Sequence, residues 1–242
     1  MYARTDPRSE RALPRGPYAV DSAVVAADQR RRLLAALPAV VAEAGFDGAT
    51  VANIARRAGV SPRAFYEQFA DKRDCFAVAY EAAQEKLLGV LTLQCYMRGS
   101  LEERVERSLE AGLHLLASEP ELANLIAVEA PAVGGEIALR HHEWLDRYGR
   151  MLRFAAVGAE HRRAPRPALE AAMAGGIASQ IASRVMRGDA DGLRELAPQA
   201  GSYVLSFFDS PMAEPQPEPA QRSASEQPQS PLRAPLPEPA VA

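Results

Sequence analysis

Apolar residues recur three and four positions apart along most of this 242-residue chain, the spacing that lays a stripe along one face of a helix. Leu33, Leu34, Leu37, Val40 and Val41 predict a first helix, capped by Ser22 or Asp28, that runs to Ala44 and stops at Gly45. Pro38 falls inside it and removes a backbone bond, which predicts a kink near Leu34. Val51, Ile54, Ala55 and Ala58 give a short second face behind the cap Thr50. Gly59 then breaks the run, and Ser61 with Pro62 reopens a helix whose buried edge is Phe65, Tyr66 and Phe69.

Asp71 caps the next stretch, a long helix reaching Arg98-Gly99 with Phe76, Ala79, Ala83, Leu87, Leu91 and Tyr96 on its apolar side. Ser100 and Glu103 form a capping box for a helix to about Ala117. Pro120 opens a short helix, and Pro131 with Gly134-Gly135 predicts a loop. Two further helices follow, over roughly 136–157 and 168–187, with a loop carrying Arg162 and Arg163 between them. Gly175-Gly176 lies inside the second, where glycine weakens a helix unless another helix comes close. A last apolar helix spans 193–208, re-initiated at Pro198.

The 50–76 stretch stands out because a helix, a glycine turn and a helix opening on polar residues can present that last helix to a DNA major groove. Gly45-Phe46, Thr50, Ile54-Ala55, Ala58-Gly59-Val60-Ser61, Phe65-Tyr66, Phe69 and Asp71-Lys72 together resemble the signature of the TetR/AcrR family of bacterial transcriptional regulators. The resemblance implies an all-α fold, with a helix-turn-helix head over 22–70 and a helical ligand-binding and dimerisation body over 71–208. It further implies a homodimer, double-stranded DNA as partner, and a small effector that releases a repressor from a palindromic operator. Matched to the motif, Tyr66 and Lys72 would bind phosphates, with Thr50 and Ser61 as hydroxyl donors.

Base reading falls to Arg63, Glu67 and Gln68, since Arg suits guanine, Gln adenine and a carboxylate cytosine, while Pro62 offers only apolar contact. Glu67 is also placed to pair with Arg63 at i, i+4. Three residues depart from the commoner pattern: Ala64 stands where Thr or Ser is usual and removes a phosphate donor, Arg63 replaces a small residue, and Glu67 brings a negative charge. A helical ligand-binding or scaffold dimer without specific DNA binding is the alternative these departures raise. In the body, Tyr96, His114, Trp144 and Tyr148 are the candidate ligand-lining residues, and the scarcity of charge on the apolar faces points to a mostly apolar effector.

Composition sharpens this picture only locally. Hydrophobic residues make up 48% of the chain and aromatics only 6%, as in Ala/Leu-packed helical proteins. Net charge is -3, but residues 1–80 hold 12 Lys/Arg against 9 Asp/Glu and the remainder 16 against 22, a basic head on an acidic body. Arg30, Arg31 and Arg32 oppose the dipole at the start of their helix, a cost that a phosphate backbone or solvent would relieve. Residues 1–21 read as a flexible arm whose Arg11 or Arg15 could reach a minor groove, and 209–242, rich in Pro, Glu and Ser, as a disordered tail. No long apolar run and no secretory leader is expected, hence no membrane and a cytoplasmic protein.

Cys75 and Cys95 lie on one helix about 30 Å apart, too far for a disulfide. No cofactor, catalytic or metal constellation is expected, since His142 and Asp146 at i, i+4 supply two ligands only. An enzyme built around His141-His142-Glu143 is the remaining reading.

Overall fold

The structure, a computed structural model, describes residues 22–155 and 167–209, and these contain helices and no strand. The expected arm over 1–21, the loop with Arg162 and Arg163, and the tail over 210–242 lie outside the described residues. Three helices form the head: α1 (Ser22–Gly48), α2 (Val51–Ala58) and α3 (Pro62–Tyr66). Helix α1 starts at Ser22, so Asp28 is an interior residue, and it pairs with Arg31 and Arg32. The kink anticipated from Pro38 does not interrupt the dihedrals at Leu34. The helix instead breaks at Gly45, with φ 70 and ψ 165, a conformation glycine adopts without a Cβ clash.

Helix α2 ends in a Schellman turn: Gly59 is left-handed, its N–H reaches the Arg56 carbonyl at 3.2 Å, and the Val60 N–H reaches Ala55 at 3.0 Å. Each head helix then finishes on a cation from another part of the chain. Lys72 Nζ donates to the Phe46, Asp47 and Ala49 carbonyls at the end of α1, at 2.8, 3.1 and 3.0 Å. Arg32 donates to the Ala58 and Gly59 carbonyls at the end of α2, both at 3.3 Å. Arg30 donates to Gln68 beyond α3 at 2.8 Å and lies 4.4 Å over the Phe69 ring. Carbonyls left over at helix ends, where the dipole is negative, are natural partners for these charges.

The body begins with α4 (Lys72–Cys95), capped by Asp71 as expected but shorter than the sequence suggested, with Tyr96 already outside it and 56% exposed. The Ser100–Glu103 capping box is present at the start of α5 (Leu101–Ser118). Helix α6 (Pro120–Asn124) passes into a π-helical turn, Leu125–Glu129, and then into α7 (Ala130–Val133). The loop expected around Pro131 is therefore helical, because proline at the start of a turn gives up no hydrogen bond. Only Gly134, with φ 73 and ψ -173, separates it from α8 (Gly135–Ala155).

Helices α9 (Pro167–Met186), α10 (Ala190–Glu195) and α11 (Ala197–Asp209) complete the body. A Cβ on Gly176 would stand 2.3 Å from the Tyr203 hydroxyl, which is the close approach anticipated for the Gly175-Gly176 pair. Gly149 marks a tighter contact, where a Cβ would meet the Glu170 backbone oxygen of α9 at 2.8 Å. Beside it Glu170, buried among these helices, is paired with Arg153 Nε at 2.6 Å. One apolar core runs without interruption from Leu33 in α1 to Phe208 in α11, so head and body pack together rather than meeting through a linker. Cys75 and Cys95 are buried free thiols, and burial pushes the Cys75 thiol up to about 12.

Candidate nucleic-acid interface and cavity

The head presents α3 outward by burying its other side. Phe65 and Phe69 are fully buried, while Pro62, Arg63, Tyr66 and Glu67 are exposed. Tyr66 is 60% exposed and so is not part of the buried edge to which its spacing assigned it; its ring leans edge-on against Phe65 and leaves the hydroxyl outside. Ala64, by contrast, is buried, so the missing hydroxyl at this position is lost from the inner face and not from the exposed one.

The two caps hold the helix starts: Thr50 Oγ1 accepts from Asn53 N–H at 3.2 Å and Ser61 Oγ from Ala64 N–H at 3.1 Å. Each hydroxyl proton stays available to an outside acceptor. Arg63, the most exposed of the group, pairs with Glu67 at 3.1 Å, as the i, i+4 spacing anticipated. Gln68 is half-buried behind them, its carbonyl held by Arg30. Lys72 stands apart from this surface. Its three ammonium protons are all committed to carbonyls of its own chain, and it sits 4.5 Å over the Phe46 ring. The phosphate role expected of it would require breaking those bonds.

The body holds a partly open apolar cavity of about 50 Å³ between α4, α5, α8 and α9, walled by leucines of α4 and α5, by Ala178 and Ile181 of α9, and by Trp144 and Tyr148 of α8. Two of the four residues expected in such a pocket are therefore there. Tyr96 and His114 are exposed and lie outside it, because the turn at Tyr96 ends α4 and His114 falls on the solvent side of α5. Trp144 also lines a polar, solvent-facing recess of about 310 Å³ between α4 and α8. Its Nε1–H is buried and meets no acceptor among the described residues.

Sequence reasoning missed what connects the two sites. Tyr148, Trp144, His141, Tyr80, Phe76 and Phe46 form an unbroken row of rings, with successive centroids 6.3, 6.4, 6.2, 6.4 and 5.2 Å apart. All six are buried. In the middle Gln84 Nε2 donates to the Tyr80 hydroxyl at 2.6 Å, and that hydroxyl shares a hydrogen bond with His141 Nδ1 at 2.8 Å. Burial lowers the His141 pKa from 6.5 to about 4, keeping the imidazole neutral, and raises the Tyr80 hydroxyl well above its ordinary range. At the head end the Phe46 N–H donates to Glu129 Oε2 of the π-helical turn at 2.9 Å. Arg73 reaches the Val133 and Gly134 carbonyls at 3.4 and 3.5 Å. The spacings 76/80 on α4 and 141/144/148 on α8 are those of single helix faces. That the two faces meet was not visible in the sequence.

Comparison with known proteins agrees with this architecture. Residues 33–79 match the family model of bacterial regulatory proteins, tetR family. Among solved structures, the transcriptional regulator FadR from Bacillus subtilis in complex with stearoyl-CoA superposes with a TM-score of 0.65 at 20% identity, over 73% of this chain and 98% of that one. The fatty acid degradation regulator FadR from Bacillus halodurans gives 0.62 at 21%, over 72% and 97%. A transcriptional regulator from Rhodococcus sp. Rha1 gives 0.56 at 24%, over 75% and 99%. No curated protein matches the chain. The family match covers the helix-turn-helix, and the solved structures share the helical fold across most of the chain.

Proposed function

We propose that the protein is a ligand-responsive, DNA-binding transcriptional repressor, working as a homodimer on a palindromic operator and carrying no enzymatic activity. The observation that carries this reading is the α2–Gly59–α3 unit, anchored by Phe65 and Phe69 and offering Arg63, Tyr66 and the Ser61 hydroxyl on one exposed face. Residues 22–70 serve as the reading head and 71–208 as the sensor. Arg63 reads a base, with Glu67 and Gln68 flanking it and Pro62 in apolar contact. Tyr66, Thr50 and Ser61 meet phosphates. Lys72 acts indirectly, by shaping the turn that precedes α2.

The effector is a small, mostly apolar molecule held at the α4–α5–α8–α9 cavity, whose lining is apolar. The Bacillus subtilis FadR of the same fold is in complex with stearoyl-CoA, which suits this reading. The cavity's lining beside Trp144 and Tyr148 supports the same broad class here. Exposed Leu169, Met186 and Tyr203 on α9 and α11 supply an apolar face for a second subunit. DNA as the target places the protein with the chromosome, in the cytoplasm.

Selection of bound duplexes from a random pool tests the reading. An enriched palindrome is expected, and Arg63→Ala should relax preference at one position per half-site by about 1–3 kcal/mol while Tyr66→Phe weakens all sequences alike. Failure to enrich any palindrome would leave the scaffold-dimer alternative, whose support is the Glu67 carboxylate on the exposed face of α3.

A further inference from the structure

Resting on the reading of the cavity as the effector site, we propose that Trp144 is the sensing residue and that the ring row from Trp144 to Phe46 carries the state of the cavity to the DNA-binding head. The volume comes first. A cavity of about 50 Å³ is far smaller than the roughly 150 Å³ that takes a benzene ring, so an effector of that size or larger must push a wall aside. Trp144 is a wall with somewhere to go, because the recess of about 310 Å³ lies on its other side.

Displacement of Trp144 cannot stay local. Its ring stacks on His141, and His141 is fastened across to α4 through the Tyr80 hydroxyl, itself held by Gln84. Tyr80 stacks on Phe76, and Phe76 meets the edge of Phe46. The recess borders Trp144 and Tyr80, but His141, Phe76 and Phe46 are buried away from it, and packed interiors pass strain on. The row ends where the head is tied down. Phe46 has its N–H on Glu129, its carbonyl on Lys72, and the Lys72 and Arg73 cations over its ring, at 4.5 and 5.5 Å. Moving Phe46 therefore disturbs the Gly45–Ala49 turn that sets α2, and with it α3, against α1 and α4. The Glu129 bond and the Arg73 contacts brace the same turn from the π-helical side, so the head has two defined supports to exchange rather than a loose hinge.

Filling the cavity from within tests this without an effector or an operator. Ala178→Phe, with Ala178→Leu as a gentler filling, is made in the full chain and amide hydrogen exchange is followed. Exchange of the 45–49 amides is expected to rise at least fivefold in Ala178→Phe and less in Ala178→Leu. The rise should vanish when Trp144→Ala is added, since the filled volume then meets no ring. Altered emission of Trp144, the sole tryptophan of the chain, confirms that each filling reaches it. Unchanged exchange over 45–49 in a filled variant overturns the proposal, and so does an equal rise with and without Trp144. On a selected duplex, Ala178→Phe should shift Kd at least tenfold. Altered exchange with an unshifted Kd would uphold the row and remove the effector reading instead.

Discussion

At the scale of single residues, Lys72 and His141 show how partners redefine a side chain. A lysine at the start of a helix beside a DNA-reading unit invites assignment to a phosphate, yet its ammonium is consumed by three carbonyls. Lys72→Ala should therefore lower the stability of the protein, by about 1–3 kcal/mol for charge-assisted bonds to otherwise unmet carbonyls, read as a fall in the denaturation midpoint without DNA present. His141 makes a pH prediction. Its folded pKa of about 4 lies below the ordinary 6.5, so between these values the unfolded chain takes up a proton that the fold refuses. Stability is complete above pH 6.5 and declines as pH falls toward 4, by about 3 kcal/mol in total. Thermal melting across that window should show the loss, and His141→Gln should flatten it.

Elements were legible in proportion to how local their causes are. The caps at Thr50, Ser61, Asp71 and Ser100 and the stop at Gly59 depend on residues within a turn of one another, and all stand where the spacing puts them. Tyr66 faces outward, and Pro131 sits in a helix, because tertiary packing and the π-helical turn override the local signal. The α8–α9 contact was not legible at all: Gly149 looks like a tolerated glycine until α9 lies across it. Gly149→Ala should cost about 1–3 kcal/mol as overpacking, since the Glu170 backbone at 2.8 Å cannot rotate away. Gly176→Ala should cost less, because the atom in its way is the end of the half-exposed Tyr203 side chain. Comparing the two melting temperatures decides the order.

Across the whole molecule, the helix-turn-helix could be read from one dense motif. The cavity and the ring row could not, because they depend on which faces of α4, α5, α8 and α9 meet. The internal use of cations in the head has a further consequence, for the ionic atmosphere around DNA. Arg30, Arg32 and Lys72 are held by helix-end carbonyls, Arg31, Arg57 and Arg63 by carboxylates, and Arg73 by the body. A head so occupied displaces few condensed counterions. If every one of these and Arg56 neutralised a phosphate in both subunits, log K would fall against log salt with a slope of about -14. With two or three per subunit the slope should be only about -4 to -5, a difference that a salt titration of operator binding resolves at once. Binding would then persist as ionic strength rises, and discrimination would rest on the fit of α3 to its site more than on attraction between charges.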